Sequence, residues 1–215
     1  MMRIDNEIQM TLKAYDGDIR QALLENKRLD YFYALSDQRE LLLEWYDFEP
    51  EARLLQVGAD YGAMTGLYRS ETAWVTVLDE RQEALETVRL RYPAAKNMDY
   101  VEKTLEAYAA EAPAAYDYVV MAGMETVLRQ EEIDAAKRLL KPEGTLILAV
   151  PNALGMKYWS GTAREENALT KRQLQAMLHG KGQGKEEGRA ESRSGYSCFY
   201  YPMPDYRTPI SIYSD

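Results

Sequence analysis

A mostly parallel α/β sheet is the fold class that this sequence predicts. Short apolar runs alternate with helix-length amphipathic segments, the first two runs end at a glycine and an aspartate, and the most apolar run, TLILAV, follows a Pro-Gly turn. Such near-continuous apolar runs suit strands buried on both faces of a parallel sheet. A length of 215 residues suits one domain with a substantial core and is short for two.

The N-terminal part is helical: from Ala22 to Trp45 apolar residues recur at helical spacing, with a break near Ser36, which predicts two helices. RLLQV (Arg53–Val57) and WVTVL (Trp74–Leu78) are then strands a helix-length apart. A helix over Gln82–Arg91, a weak strand near Tyr100–Thr104 and a short helix to Ala112 follow. YDYVVMA (Tyr116–Ala122) reads as a buried strand and Glu131–Leu140 as an amphipathic helix. Lys141, Pro142 and Gly144 close that helix before the strand Thr145–Val150. After Pro151 the texture is polar, with a helix over Lys171–Leu178 and a Gly-, Lys- and Glu-rich stretch, 180–195, expected to be a flexible loop. Tyr196–Tyr201 and Ile210–Ser214 read as two antiparallel strands at the sheet edge. The division expected is 1–50, an N-terminal helical segment, and 51–215, the α/β domain. A chain that stops while still strand-like is consistent with a piece of a longer protein.

Composition prunes the function classes. Acidic residues outnumber basic ones 35 to 26, a formal charge of −9, and no basic run offers a nucleic-acid surface. No apolar run approaches a membrane span and the N-terminus lacks a signal-peptide layout, so a cytoplasmic location is expected. One cysteine and one histidine exclude an intrachain disulfide and a multi-histidine metal site, and a metal is not expected. His179 reads as a loop residue and Cys198, in an apolar run, as a small core residue.

The informative segment is LLQVGADYGAMTG (Leu54–Gly66), a strand running through glycines 58, 62 and 66 into a helix. Such glycines let the backbone turn tightly and approach a ligand, and the helix start favours an anionic group. Asp79 lies 21 residues past Gly58, at the end of the next strand, where an acid can accept hydrogen bonds from both ribose hydroxyls of an adenosine.

With these pieces in hand, the sequence resembles the class I S-adenosylmethionine-dependent methyltransferases over about Tyr31 to Asp215. The matching pieces are QVGADYG, LDE, YDYVVMAG, LKPEG and the tail. More narrowly, DYFYALSDQRELLLEW, VPNALGMKYWSG and FYYPMPDYRTPISIYSD are similar to methyltransferase domains of bacterial proteins that assemble cell-surface polysaccharide. The resemblance implies a doubly wound seven-stranded sheet with an antiparallel final strand. It implies S-adenosylmethionine as cofactor, S-adenosylhomocysteine as product, and methyl transfer to a small-molecule or saccharide acceptor.

Carried over by position, Gln56, Gly58, Ala59, Asp60 and Gly62 surround the methionine end of that cofactor. Asp79 with Glu80 takes the ribose, Thr104 and Leu105 the adenine, and Ala122 and Gly123 pass beneath the cofactor. Asn152, Tyr158 and Trp159 would line the acceptor side, and Tyr31 and Tyr33 lie in a helical segment that folds over the cofactor as a lid. Glu125 is the candidate base for a hydroxyl acceptor.

Two departures stand out. Gln56 sits where the family pattern has an acid, and Asp60 where it has a glycine. One expectation is that the carboxylate has moved from position 56 to 60 and still meets the cofactor ammonium, since Asp tolerates left-handed backbone. The other is decay into a non-catalytic interaction module. A nicotinamide-dependent oxidoreductase also fits a glycine turn plus Asp79, although a carboxylate at position 60 would repel a pyrophosphate.

Overall fold

The computed structural model describes residues 4–122, 127–179 and 196–215. Helices α1 (Ile4–Ala14), α2 (Ile19–Glu25) and α3 (Leu29–Leu35) precede a 3-10 turn over Asp37–Leu42. Then come β1 (Arg53–Val57), α4 (Thr65–Glu71), β2 (Trp74–Asp79), α5 (Gln82–Arg91), β3 (Met98–Glu102), α6 (Leu105–Glu111), β4 (Tyr116–Met121), α7 (Gln130–Leu139) and β5 (Leu140–Leu148). The chain ends with α8 (Met156–Trp159), α9 (Lys171–His179), β6 (Tyr200–Met203) and β7 (Ser211–Ser214).

The five strands β1–β5 form one parallel sheet in the order β3-β2-β1-β4-β5. Its order reverses between β1 and β4, and that reversal opens a crevice at their C-terminal ends, where ligands of open α/β sheets bind. Alternation along β1 serves two cores. Leu54 joins Val75, Val77, Tyr118 and Val120 under α4 and α5, while Leu55 and Val57 join Val119, Met121, Ile133 and Leu139 under α6 and α7. Each fully buried aliphatic side chain here contributes roughly 1.5–3 kcal/mol. The N-terminal helices bury a third cluster, Ile8, Leu12, Ala22, Tyr31, Ala34 and Leu35, which packs on Leu90 of α5.

The expected seven-stranded sheet is corrected. β6 and β7 pair with each other, antiparallel, from Tyr200 opposite Ser214 to Met203 opposite Ser211, and form a separate two-stranded sheet. Pro202 inside β6 has no N–H to give to a second ladder, which confines the strand to an edge. Two smaller corrections follow. His179 closes helix α9 instead of lying in a loop, and Cys198, just before this narrow ribbon, is exposed. The stretch 180–195 lies outside the described residues.

The N-terminal segment is tied to the sheet through the 3-10 turn. Ser36 starts it, its hydroxyl accepting from Gln38 N–H at 3.1 Å, and Glu40 then reaches α4, where its carboxylate accepts from Leu67 N–H at 3.0 Å. An acid at a helix start is favourable, but this one is half-buried, and desolvation raises the Glu40 pKa above its ordinary value against the pull of that N–H and of Arg91. A Cβ on Gly66 would come within 2.4 Å of the Glu40 carboxylate, so a larger residue there would push that carboxylate aside.

An acid whose pKa is raised by folding stabilises the fold below its unfolded value and loses that contribution as pH rises through the folded value. Wild type is therefore expected to lose stability relative to Glu40→Gln as pH rises from about 4, the ordinary carboxyl value, towards neutrality. Urea unfolding across that range measures it, and parallel curves for the two proteins would contradict it.

Candidate functional site

The turn after β1 is built from left-handed backbone. Gly58 has φ 86°, Asp60 42°, Tyr61 53° and Gly62 75°. Asp is among the non-glycine residues that visit this region most readily; Tyr is not, and it costs roughly 1–2 kcal/mol. What holds the turn is side chains reaching its carbonyls. Gln56, buried on β1, donates its amide to Gly58 O at 3.0 Å and Ala59 O at 3.3 Å, and its own oxygen accepts from the Thr65 hydroxyl at 2.8 Å. Arg91 donates to Tyr61 O at 3.2 Å and to Ala34 O at 3.3 Å, and the Tyr92 hydroxyl donates to Gly62 O at 2.9 Å.

Two carboxylates border the crevice. Asp79, at the end of β2 and buried, accepts from Ala59 N–H at 2.9 Å and Arg81 N–H at 2.9 Å. The Arg81 guanidinium adds contacts at 3.2 and 3.5 Å. Asp60 is ion-paired with Arg39 at 2.8 Å, their side chains 12% and 6% exposed. Arg39 also donates to the carbonyl of Ala122, just past β4, at 3.2 Å. The 3-10 turn thus lays a guanidinium across the C-terminal ends of β1 and β4.

Two buried polar atoms at this spot have no partner, Arg39 Nε and the Tyr68 hydroxyl. Burial pushes the Tyr68 phenol far above its ordinary pKa, and the charges it faces are Arg39, Asp60 and Glu40. Both atoms can donate to an incoming acceptor, and a buried donor left unpaired costs about 1–3 kcal/mol.

The structure gathers Gln56, Gly58, Ala59, Asp60, Gly62, Asp79 and Ala122 around the crevice, with Glu80 exposed beside Asp79. Thr104 caps α6, its hydroxyl accepting from Ala107 N–H at 3.2 Å, and Leu105 is buried in the core beneath. Gly123 and Glu125 lie outside the described residues. After β5, the Asn152 side chain closes a turn on Leu154 N–H, the Tyr158 hydroxyl is buried without a partner, and Trp159 is 81% exposed. Tyr31 sits inside the N-terminal core with its hydroxyl 3.2 Å from that of Thr11, while Tyr33 is 40% exposed.

Sequence reasoning missed Arg39, Glu40, Tyr68, Arg81, Arg91, Tyr92 and Tyr206. Tyr206 is brought by the β6–β7 connection into the core beside Arg39, where burial raises its pKa. The same connection is pinned to the α8 region by Lys157, which bonds Glu165 at 2.6 Å and Asp205 at 2.5 Å. Burial alone would lower the Lys157 pKa, but the two carboxylates raise it and keep the ammonium charged. Among the described residues no cluster of His, Cys, Asp and Glu could hold a metal, and no helix is long and apolar enough to cross a membrane.

Comparison with known proteins agrees with this geometry. Residues 55–148 match the family model of a methyltransferase domain. A ubiquinone biosynthesis O-methyltransferase from Klebsiella pneumoniae subsp. pneumoniae is 36% identical over 110 residues, covering 50% of this chain and 45% of that one. The chain thus spans under half the length of that relative. A methyltransferase-like structure from Bacillus halodurans superposes with a TM-score of 0.54 at 18% identity, over 79% of this chain and 76% of that one. The N-methyltransferase NodS of Bradyrhizobium japonicum, in complex with S-adenosyl-L-homocysteine, gives 0.51 at 16% identity, over 80% and 84%.

The Gln56 clasp yields a direct prediction. Gln56→Glu places a carboxylate against the two carbonyls that the amide now satisfies, and is expected to cost about 1–3 kcal/mol of stability. Chemical denaturation measures it; a variant as stable as wild type would remove the clasp.

By its sheet order, its glycine turn and the match over residues 55–148, the chain has the Rossmann-like fold of the class I S-adenosylmethionine-dependent methyltransferases.

Proposed function

We propose that this chain binds S-adenosylmethionine in the crevice above β1, β2 and β4 and transfers its methyl group to a small-molecule or saccharide acceptor. The observation that carries the reading is Asp79, a buried strand-end carboxylate bonded to the turn through Ala59 N–H and placed to accept from a ribose diol. The remaining donors and acceptors fit the other end of the same molecule. Arg39 Nε and the Tyr68 hydroxyl are unpartnered donors suited to a carboxylate, and Asp60 is an acid suited to an ammonium. When bound, this cofactor supplies a methyl group on a positively charged sulfur.

The chain's own residues then have positional work to do. Gln56, Arg91 and Tyr92 fix the turn, Asp79 and Asp60 set the two ends of the ligand, and Tyr206 closes the crevice beside Arg39. Asn152, Tyr158 and Trp159 follow β5 and would form the acceptor wall, with Tyr33 on the N-terminal side. Glu125, just past β4, is the group to take a proton from a hydroxyl acceptor. An oxygen acceptor is supported by the name of the Klebsiella relative, and a saccharide by the resemblance of 30–45, 150–161 and 199–215 to polysaccharide-assembly enzymes.

One observation favours a second reading, an interaction module without catalysis: each crevice carboxylate is already paired with an arginine of the chain. Thermal unfolding with S-adenosylhomocysteine separates the two. At about 100 times its Kd a single-site ligand adds ~2.7 kcal/mol, a rise of ~5–10 °C for a chain of this size. Asp79→Asn is expected to abolish the rise, and NADH to give none. No rise at millimolar S-adenosylhomocysteine would leave the module reading.

A further inference from the structure

The segment after β5 and the connection between β6 and β7 are joined by four charged side chains of alternating sign. The Lys157 ammonium donates to Asp205 Oδ2 at 2.5 Å and to Glu165 Oε1 at 2.6 Å, and Glu165 Oε2 lies 3.6 Å from the Arg207 guanidinium. This row of charges begins and ends on the two residues that flank Tyr206. Asp205 also fixes the backbone around Tyr206: its Oδ1 accepts from Arg207 N–H at 3.0 Å and its carbonyl from Thr208 N–H at 3.3 Å. Tyr206 is 5% exposed and belongs to the core cluster that contains Leu42 of the 3-10 turn and Ala59 and Ala122 at the crevice. Arg39 is among the charges that it faces. Isolated ion pairs at a surface contribute little, but these four side chains are only partly exposed and share partners, the condition under which charges act as a network.

We infer that Lys157 is a positioning residue for the cofactor crevice: by holding Asp205 and Glu165 together it keeps Tyr206 seated beside Arg39, and so ties the segment after β5 to the crevice wall. The inference rests on the cofactor reading above. Lys157 acts through the turn Asp205–Thr208, not through contact with a ligand. Without its ammonium, Glu165 and Asp205 are left as like charges on either side of the space it filled, and their repulsion pushes the turn that carries Tyr206 away from α8. Neutralising Asp205 is a milder cut. Asn at position 205 keeps an oxygen for Arg207 N–H and leaves no repulsion behind, so only the bond to Lys157 is weakened.

Titration calorimetry with S-adenosylhomocysteine tests the role, at a temperature where circular dichroism shows each protein folded. Lys157→Met is expected to bind about three- to tenfold more weakly than wild type and Asp205→Asn about two- to fivefold, while Lys157→Arg stays within about twofold. Because the effect runs through Tyr206, adding Lys157→Met to Tyr206→Leu should cost no further affinity. Wild-type affinity in both Lys157→Met and Asp205→Asn, even with lowered unfolding midpoints, overturns the positioning role and leaves the cofactor reading intact. So does a loss in Lys157→Arg as large as in Lys157→Met, or a full further loss in the double variant. No binding by wild type overturns the cofactor reading and the positioning role with it.

Discussion

A buried guanidinium must be paired, and the way Arg39 is paired organises this molecule. Its partners are Asp60 in the turn after β1 and the Ala122 carbonyl past β4, two neighbouring strands whose C-terminal ends border the crevice. Removing one member of such a pair typically costs 3–5 kcal/mol because the other is left charged in a dry place. The N-terminal helices are therefore anchored across the crevice by a bond they cannot give up cheaply. Glu40, the next residue, adds a second anchor on α4, so one short turn of chain fixes both walls.

The same bond explains the two departures from the family pattern. An acid at position 60 in left-handed backbone has a partner of its own, and the amide at position 56 does what a carboxylate could not, which is to donate to two carbonyls. The turn is fully engaged through side chains of β1, α5 and the N-terminal segment. Asp60 thus meets the crevice together with a cation, Arg39.

Strands buried on both faces were legible in the sequence, because β1, β2 and β4 are buried at most positions and filled there mainly by apolar residues. The third strand read weakly because β3 is an edge strand with one side open, and its expected span, Tyr100–Thr104, lay two residues late. Helix α1 escaped notice because, among its described side chains, only Ile8 and Leu12 are buried. The acids and glycines of the crevice were legible from spacing along the chain. The arginines were not: Arg39 in DQRELLLEW reads as the solvated face of a helix, and only the return of the chain 21 residues later makes it a buried partner of Asp60. The pairing of β6 with β7 was legible, but their separation from the main sheet depends on contacts that no local pattern records.

The amide of Gln56 has one more consequence. The clasp that sets the backbone of the turn, a neutral amide held by the Thr65 hydroxyl, does not titrate. Acidification therefore leaves unchanged the two bonds that the clasp makes to the Gly58 and Ala59 carbonyls.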